Sequence, residues 1–197
     1  NHVYNMNYFK PLDSLPDDDK LIGISFALDT GHQQSATACG AYGLTAKGNV
    51  ILLDTFYYSP AGKTIKKAPS ELTVMIHDFI DKVMKQYRVP KLKMTIDSAE
   101  GALRNQYFKD YGERWHPVAK KKTQTMIDMV ISLLAEGRFY YLDIPANKVF
   151  VEEHKMYRYD DKTSNSDDPK VIKEDDHTCD EFKYFVLDNA RELDLKV

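Results

Sequence analysis

The segment at residues 21–29 most constrains how this chain can fold. It reads LIGISFALD, so it is almost wholly apolar until it ends in the carboxylate of Asp29. A run this short and this apolar predicts a strand that is covered on both faces of a sheet. Residues 35–45 and 50–58 are rich in small, β-branched and aromatic side chains and predict two further strands. Because the connections between these strands are short, the three predict an antiparallel meander.

After the meander, helices and strands alternate. Apolar residues recur every three or four positions between Ser70 and Tyr87, which predicts an amphipathic helix that Ser70 caps and Pro90 stops. The other predicted elements are strands at 92–97, 115–119 and 138–142, and helices at 100–111, 123–136, 145–157 and from 176 or 177 to about 193. This order predicts an α/β fold with a mixed sheet and helices on both faces. The ribonuclease H-like fold has this order, as do some unrelated α/β folds.

The 197 residues are enough to bury one substantial core, so we expect a single domain over residues 21–197. Residues 1–20 carry two prolines and an acidic run and are interpreted as a lead-in or linker. Residues 158–176 are rich in Asp, Lys, Ser and Asn and predict an exposed loop or mobile hairpin. The chain begins without Met, which suggests a piece of a longer protein.

Composition excludes several functional classes. The formal net charge of -3 excludes a polybasic tail-like binder, although it allows a local basic groove. No apolar run approaches the roughly 18 residues of a membrane span, and no signal peptide is visible, so no membrane role is expected. Cys39 and Cys179 have neither metal-binding nor redox spacing, which favours a reduced intracellular protein. A phosphate-binding P-loop and a Gly-x-Ser-x-Gly elbow are both missing from the sequence.

Two aspartates end predicted strands. Asp29 closes the first strand and Asp97 closes the strand at 92–97. Two carboxylates at neighbouring strand ends repel each other unless a cation lies between them, and Mg²⁺ or Mn²⁺ suits oxygen ligands. The alternative is that each aspartate is a turn residue or a helix cap.

A third acidic group opens the last predicted helix. Asp176 and Asp180 are four residues apart, and His177 and Asp180 are three apart, so they share one helical face. They are therefore candidates to complete a metal site, with His177 alternatively a proton shuttle. Capping of the helix N-terminus by acidic side chains is the simpler explanation.

Two lysine groups are candidate phosphate contacts. They are Lys63, Lys66 and Lys67 in the loop before the first long helix, and Lys120, Lys121 and Lys122 after the strand at 115–119. Together they predict a basic rim for nucleic acid on an acidic protein. Solvated surface lysines are the alternative.

Residues 176–184, DHTCDEFKY, resemble the Asp-His-x-x-Asp-Ala-x-Arg-Tyr signature of tailed-phage terminase large subunits, in their C-terminal nuclease domain. Glu181 and Lys183 stand where that signature has Ala and Arg. The other matching segments are residues 28–31, 95–99, 119–123, 136–138 and 151–159. The resemblance extends over about residues 21–190 and is strongest to headful-packaging phages of Gram-positive hosts.

The resemblance implies a ribonuclease H-like, metal-dependent endonuclease that cuts concatemeric double-stranded DNA during genome packaging, largely without sequence preference. It implies two Mg²⁺ or Mn²⁺ ions, with Asp29 and Asp97 as two of the metal-binding acids. His177 and Asp180 would face the metals, and Asp176 would be a cap or outer ligand. The implied partners are an N-terminal ATPase domain, absent from this chain, the terminase small subunit and the portal, in the cytoplasm of the infected host.

Two other functions stay open from the sequence. One is another ribonuclease H-like nuclease, such as a junction resolvase or an RNA-cleaving enzyme, which would use the same acids on a different substrate. The other is a non-catalytic docking module of a packaging motor.

Overall fold

A mixed seven-stranded sheet organises the chain in the computed structural model, which describes residues 1–31, 35–62 and 67–196. The strands are β1 (Lys10–Leu12), β2 (Leu21–Asp29), β3 (Thr37–Thr45), β4 (Val50–Tyr58), β5 (Lys91–Asp97), β6 (His116–Val118) and β7 (Phe139–Leu142). Their spatial order is β1-β7-β4-β3-β2-β5-β6. The pairs β2–β3 and β3–β4 are antiparallel, and every other pair is parallel. The predicted antiparallel meander is confirmed, and the structure adds parallel strands on both of its sides.

Five α-helices cover this sheet in the described ranges. They are α1 (Pro69–Tyr87), α2 (Gly101–Tyr111), α3 (Thr123–Ala135), α4 (Lys148–Met156) and α5 (His177–Asp188). Short 3-10 segments lie at Met6–Tyr8 and Pro145–Asn147. Within the described ranges, no helix is long and apolar enough to cross a membrane.

Each face of the sheet packs against a separate hydrophobic core, and successive residues of β2 point alternately into one core and the other. Phe26 and Leu28 belong to a core with α1 and α2, whereas Ala27 between them belongs to a core with α3, α4 and α5. This alternation follows from the period of two along a strand. The prediction of helices on both faces is therefore confirmed.

Helix α5 lies unusually close to the middle of the sheet. A Cβ atom on Gly40 of β3 would stand only 2.6 Å from Glu181 Oε2 and 2.7 Å from the Tyr42 ring, so a larger residue here would force these buried side chains to shift. Next to it, the ring of Tyr42 stacks on Phe185 with 4.0 Å between centroids. This close packing sets the distance between the first turn of α5 and the ends of the central strands.

Some element boundaries differ from the predicted ones. The predicted lead-in contributes strand β1, which pairs with β7, and buries Tyr4 and Phe9 in the α3–α5 core. Helix α1 begins one residue before Ser70, because Pro69 suits a first helical position; Ala68 precedes it and donates its N–H to the Glu71 carboxylate.

Helix α5 ends at Asp188 rather than near 193. Apolar residues continue beyond that point: Ala190 and Leu193 are buried in turns, and Leu195 is buried just after them. After Asp188 the apolar periodicity of the sequence therefore indicates which residues are buried, but not that they form a helix. In the segment at 158–176, the regular pairing that the structure describes is two isolated antiparallel bridges, one from Arg158 to His2 and one from Tyr159 to Val171.

Candidate metal centre

The carboxylates of Asp29 and Asp97 lie at one edge of the sheet. Each is the last residue of its strand, and the strands β2 and β5 are parallel neighbours in which Leu28 pairs with Ile96. Both aspartates are buried, with 9% and 8% of their surfaces exposed. The carboxyl ends of adjacent parallel strands are where α/β sheets form sites, as the sequence predicted for this pair.

The first turn of α5 faces the end of β2. His177 is the first residue of the helix, and its Nδ1 lies 3.3 Å from Asp29 Oδ2. Asp180, which is also buried, follows on the same face of the helix. The side chain of Asp176 makes no capping hydrogen bond to the helix. Asp176 therefore does not cap α5 through its side chain, as the alternative interpretation had it.

Glu153 of α4 stabilises the N-terminus of α5 instead. Its Oε1 accepts a 2.8 Å hydrogen bond from the Thr178 amide and a 2.6 Å bond from the Thr178 hydroxyl. Its Oε2 accepts from the Tyr57 hydroxyl at 2.8 Å. A buried carboxylate that binds a free helical amide satisfies an orphan donor and suits the helix dipole. Glu153 thereby fixes the turn that carries His177.

Lysine ammonium groups lie against three of the acids. Lys120 Nζ is 3.1 and 3.2 Å from the two oxygens of Asp97. Lys173 Nζ is 2.8 Å from Asp176 Oδ2 and 3.2 Å from Asp180 Oδ2, which joins these two acids. Positive charge at these oxygens offsets the repulsion among the buried carboxylates.

A buried lysine and a tyrosine of α5 orient two of the acids. Lys183, with 2% of its side chain exposed, lies 3.0 Å from Asp180 Oδ1 and donates to the Tyr157 hydroxyl at 2.6 Å. Tyr184 donates its hydroxyl to Asp97 Oδ2 at 3.3 Å. Burial raises the pKa of Tyr184, and the charges of Asp180, Asp29 and Asp97 raise it further, so the phenol keeps its proton. The negative charges of Asp180, Asp29 and Asp97 thus all favour the protonated form of Tyr184.

The protonation of Asp29 reflects these surroundings. Burial raises the pKa of Asp29 to about 6, with Asp180 and Asp176 adding to the rise and the hydrogen bond from His177 opposing it. The same hydrogen bond raises the pKa of His177. Asp29 is thus a carboxylate whose negative charge is disfavoured until a positive partner arrives.

The residues fit a divalent metal by donor chemistry. Carboxylate oxygens and one imidazole from three elements converge on the same sheet edge, and oxygen-rich sets of this kind suit Mg²⁺ or Mn²⁺. In the described parts of the chain, no three His, Cys, Asp or Glu side chains are already gathered at ligand spacing. The acids are instead held by Lys120, Lys173 and His177, so binding an ion requires the two lysines to turn away and His177 to exchange its contact with Asp29 for the ion.

The candidate phosphate-binding lysines separate into three groups. Lys120 pairs with Asp97, whereas Lys121 and Lys122 line a groove at the start of α3. Lys67 lies before α1, with its Nζ 5.8 Å from the ring centroid of Tyr58. Lys63 and Lys66 lie outside the described residues.

Three contributors to the site escaped the sequence analysis: Glu153, Lys173 and Lys183. Lys183 could have been found, because it lies three residues after Asp180 on a predicted helix. Lys173 lies three residues before Asp176, but outside the helix, where spacing predicts no contact. Glu153 reaches α5 from another helix, and no local pattern indicates that contact.

A family model described as the terminase RNase H-like domain matches residues 29–188. Among solved structures, the chain is similar to the large terminase of a thermophilic bacteriophage, with 19% identity and a TM-score of 0.77, over 95% of this chain and 44% of that one. It is also similar to the large terminase nuclease domain of bacteriophage SPP1 with bound Mn, with 16% identity and a TM-score of 0.65, over 95% of this chain and 98% of that one.

The large terminase nuclease of another thermophilic phage, G20c, with bound magnesium is similar at 12% identity and a TM-score of 0.62, over 94% of this chain and 96% of that one. The comparison with curated proteins found no match. The chain thus spans less than half of the first of these large terminases and nearly all of the two nuclease domains. At these identities the structural likeness establishes the fold.

Proposed function

Because this chain belongs to the terminase RNase H-like domain family, we propose that it is a metal-dependent endonuclease that cuts double-stranded phage DNA during genome packaging. The observation that carries the proposal is that Asp29 and Asp97 end neighbouring parallel strands and that one helix, α5, meets both, through His177 at Asp29 and Tyr184 at Asp97. Buried carboxylates gathered in this way are costly to a fold and are typical of functional sites. The bound Mn and magnesium of two structures similar in fold support a divalent cation here.

We assign the ligands to Asp29, Asp97, His177 and Asp180, with Asp176 as an outer ligand. Two bound divalent cations would supply an activated water and stabilisation of the leaving oxygen. Lys183 and Tyr184 hold Asp180 and Asp97 in place, and Glu153 holds the turn that carries His177. Without a metal, the hydrogen bond to Asp29 favours the charged imidazole of His177. Only a neutral imidazole ligates a metal, so binding through His177 would release this proton.

We propose DNA as the substrate because several lysines near the acids could contact backbone phosphates. Lys120 and Lys173 contact the acids now and would be free to contact phosphate once a metal replaces them. Together with Lys63, Lys66, Lys67, Lys121 and Lys122 they would bind the DNA backbone. Backbone contacts carry no direct sequence information, so we expect cutting with little sequence preference. In the full-length protein we propose an N-terminal ATPase domain, with the small subunit and portal as partners, in the host cytoplasm.

The test is nicking of supercoiled plasmid with Mg²⁺, with Mn²⁺ and with chelator. We expect metal-dependent nicking that Asp29→Asn reduces at least about 100-fold, because the variant loses one charged ligand. Asp81→Asn, on the exposed surface of α1, is the matched control and should cut like the parent.

The same assay separates the rival functions. Branched DNA and an RNA–DNA hybrid are offered beside the plasmid. Preference for either would indicate a resolvase or an RNA-cleaving enzyme, and no cleavage of any substrate with either metal would indicate a docking module.

A further inference from the structure

A cavity of about 450 Å³ lies at the sheet edge that carries the acids, between the starts of α1 and α2. It adjoins the candidate metal centre. Thr30, which directly follows Asp29, lines it, and so does Ala99, whose amide donates to Asp97 Oδ1 at 3.0 Å. The volume lies within the range of small-ligand sites, roughly 300–1,000 Å³, and is far too small for a DNA duplex.

The lining of this cavity is largely apolar and carries no excess of charge. The charged side chains in its described lining are one of each sign, Lys67 and Glu100. Leu72 of α1, Leu103 of α2 and the end of β4 at Tyr58 form much of the remaining wall. Such walls suit a flat, neutral ring better than a phosphate group.

The polar groups that border the cavity lack partners. Thr30 is 7% exposed, and its Oγ1 has no hydrogen-bond partner among the described residues. A buried hydroxyl left unpaired destabilises a fold, so a bound ligand is the natural partner for it.

Helix α2 adds hydrogen-bond donors at the opposite wall. No side chain caps its first turn, so the amides of Gly101 and Ala102 have no acceptor within the helix. A Cβ atom on Gly101 would meet nothing within 4 Å, so the space in front of this turn is open.

We propose that this cavity is a nucleobase subsite, which takes one unstacked base of the DNA strand that reaches the metal centre. The proposal rests on the nuclease function proposed above. A base is flat and neutral, and its edge carries oxygen and nitrogen acceptors for the Gly101 and Ala102 amides and the Thr30 hydroxyl. Position beside Asp29 and Asp97 favours a base of the bound strand over a free nucleotide, whose phosphate would find no excess of positive charge in the lining.

The first test measures binding without metal or cleavage. Isotope-labelled parent in EDTA is titrated with thymidine, thymidine monophosphate, deoxyribose phosphate and a thymidine tetranucleotide, and the Gly101 amide resonance is followed by NMR. We expect thymidine to shift this resonance, deoxyribose phosphate to leave it unchanged, and the tetranucleotide to bind at least about tenfold more tightly than thymidine. Ala102→Leu, which fills the cavity from α2, should abolish these shifts. Ala135→Leu, the same change at the exposed end of α3, should bind like the parent.

Thr30→Val removes the hydroxyl and keeps the shape of the side chain. Its melting temperature should hold or rise, because the hydroxyl has no partner in the fold, whereas the Kd for thymidine should rise about threefold to tenfold. A fall of several degrees in melting temperature would overturn the assignment of this hydroxyl to a ligand.

The second test measures cleavage in Mn²⁺ of a matched duplex and of the same duplex with one T·T mismatch. Removing a base from the stack costs least at a mismatch, so we expect the parent to cut beside it at least about fivefold faster. Ala102→Leu should cut both duplexes at one rate, and Ala135→Leu should keep the preference.

Deoxyribose phosphate that shifts Gly101 as strongly as thymidine would overturn the proposal and indicate an anion site. Thymidine monophosphate that binds as tightly as the tetranucleotide would overturn it in favour of a free nucleotide. If the parent nicks plasmid but binds neither thymidine nor the tetranucleotide, only the subsite fails. If both probes bind as expected but the parent never nicks, only the nuclease function fails.

Discussion

A buried carboxylate beside two others destabilises the site when no metal is bound. Burial and the charges of Asp180 and Asp176 raise the pKa of Asp29 to about 6, so at pH 8 the ionised carboxylate is less stable in the folded chain than in the unfolded one. We expect Asp29→Asn to keep or increase the unfolding free energy in chelator at pH 8, by at most about 3 kcal/mol. Thermal unfolding measures this, with Asp81→Asn as the control. A fall of several degrees in melting temperature for Asp29→Asn alone would contradict the assignment of Asp29 to a functional rather than a structural role.

The buried His154 should make the unfolding free energy sensitive to acid, independently of the candidate metal centre. Its ring is fully buried against Phe150 and Phe182, its Nδ1 lies 2.8 Å from the Phe150 carbonyl, and burial lowers its pKa to about 3. Since the unfolded chain takes up a proton near pH 6.5 and the folded one does not, the stability from this residue is present above pH 6.5 and is lost as the pH falls towards 3.

We therefore expect parent and His154→Gln to differ in the pH dependence of unfolding. Between pH 5.5 and 3.5 the parent should lose about 1.4 kcal/mol more per pH unit than the variant. Urea unfolding at several pH values measures this, and His2→Gln, at an exposed position, should follow the parent. Parallel curves for parent and His154→Gln would show that the imidazole is protonated in the folded state.

At the scale of elements, α5 depends on α4 for its N-terminus. Glu153→Ala leaves the Thr178 amide and hydroxyl without their acceptor, so we expect a loss of about 1–3 kcal/mol of unfolding free energy. Glu152→Ala, at the exposed neighbouring position, should cost less than about 0.5 kcal/mol. Glu153→Gln keeps an oxygen acceptor and should recover part of the loss.

A second readout separates positioning from stability. In Glu153→Gln, the Mn²⁺ concentration for half-maximal nicking should rise several-fold, because the turn carrying His177 is held less firmly. An unchanged Mn²⁺ requirement would make Glu153 a purely structural cap.

Within α5, Lys183 forms a buried ion pair with Asp180. Lys183→Met leaves the buried Asp180 with Lys173 as its remaining cationic partner, and we expect a loss of about 1.5–3 kcal/mol of unfolding free energy. Lys183→Met/Asp180→Asn removes the charge that lost one of its two partners and should regain much of that stability while abolishing nicking. Chemical unfolding and the plasmid assay measure the two effects. A double variant as unstable as Lys183→Met would show that lost packing, not lost charge pairing, dominates.

At the scale of the whole molecule, metal binding and folding are linked. A cation that binds the folded acids and not the unfolded chain stabilises by mass action, about 2.7 kcal/mol at 100 times its Kd. We expect Mn²⁺ to raise the melting temperature of the parent, and EDTA to reverse the rise. Asp29→Asn/Asp97→Asn should remove it. A flat response of the parent across a wide Mn²⁺ titration would contradict the assigned centre.

Sequence alone determined the features that local chemistry controls. The order of elements follows from local patterns: the apolar run before Asp29, the helical spacing after Ser70, and the stops at Pro90 and Gly112. Such patterns are readable because the periods of strands and helices depend on residues that are close in the sequence. That order is shared with some unrelated α/β folds, and the motif at residues 176–184 selected the ribonuclease H-like sheet among them. The order of elements also placed Asp29 and Asp97 at strand ends, and parallel pairing of β2 with β5 then brought the two ends to one edge.

Only the tertiary structure decided which cation holds which acid and which lysines line the groove at the start of α3. Glu153 reaches Thr178 across 25 residues of chain, and Lys120 reaches Asp97 across 23. Such contacts depend on how helices dock on the sheet, and docking is set by close packing, such as the fit of α5 over Gly40. The same docking places residues 168–173 against α3, so the lysines of two distant segments share one surface that no local pattern predicts.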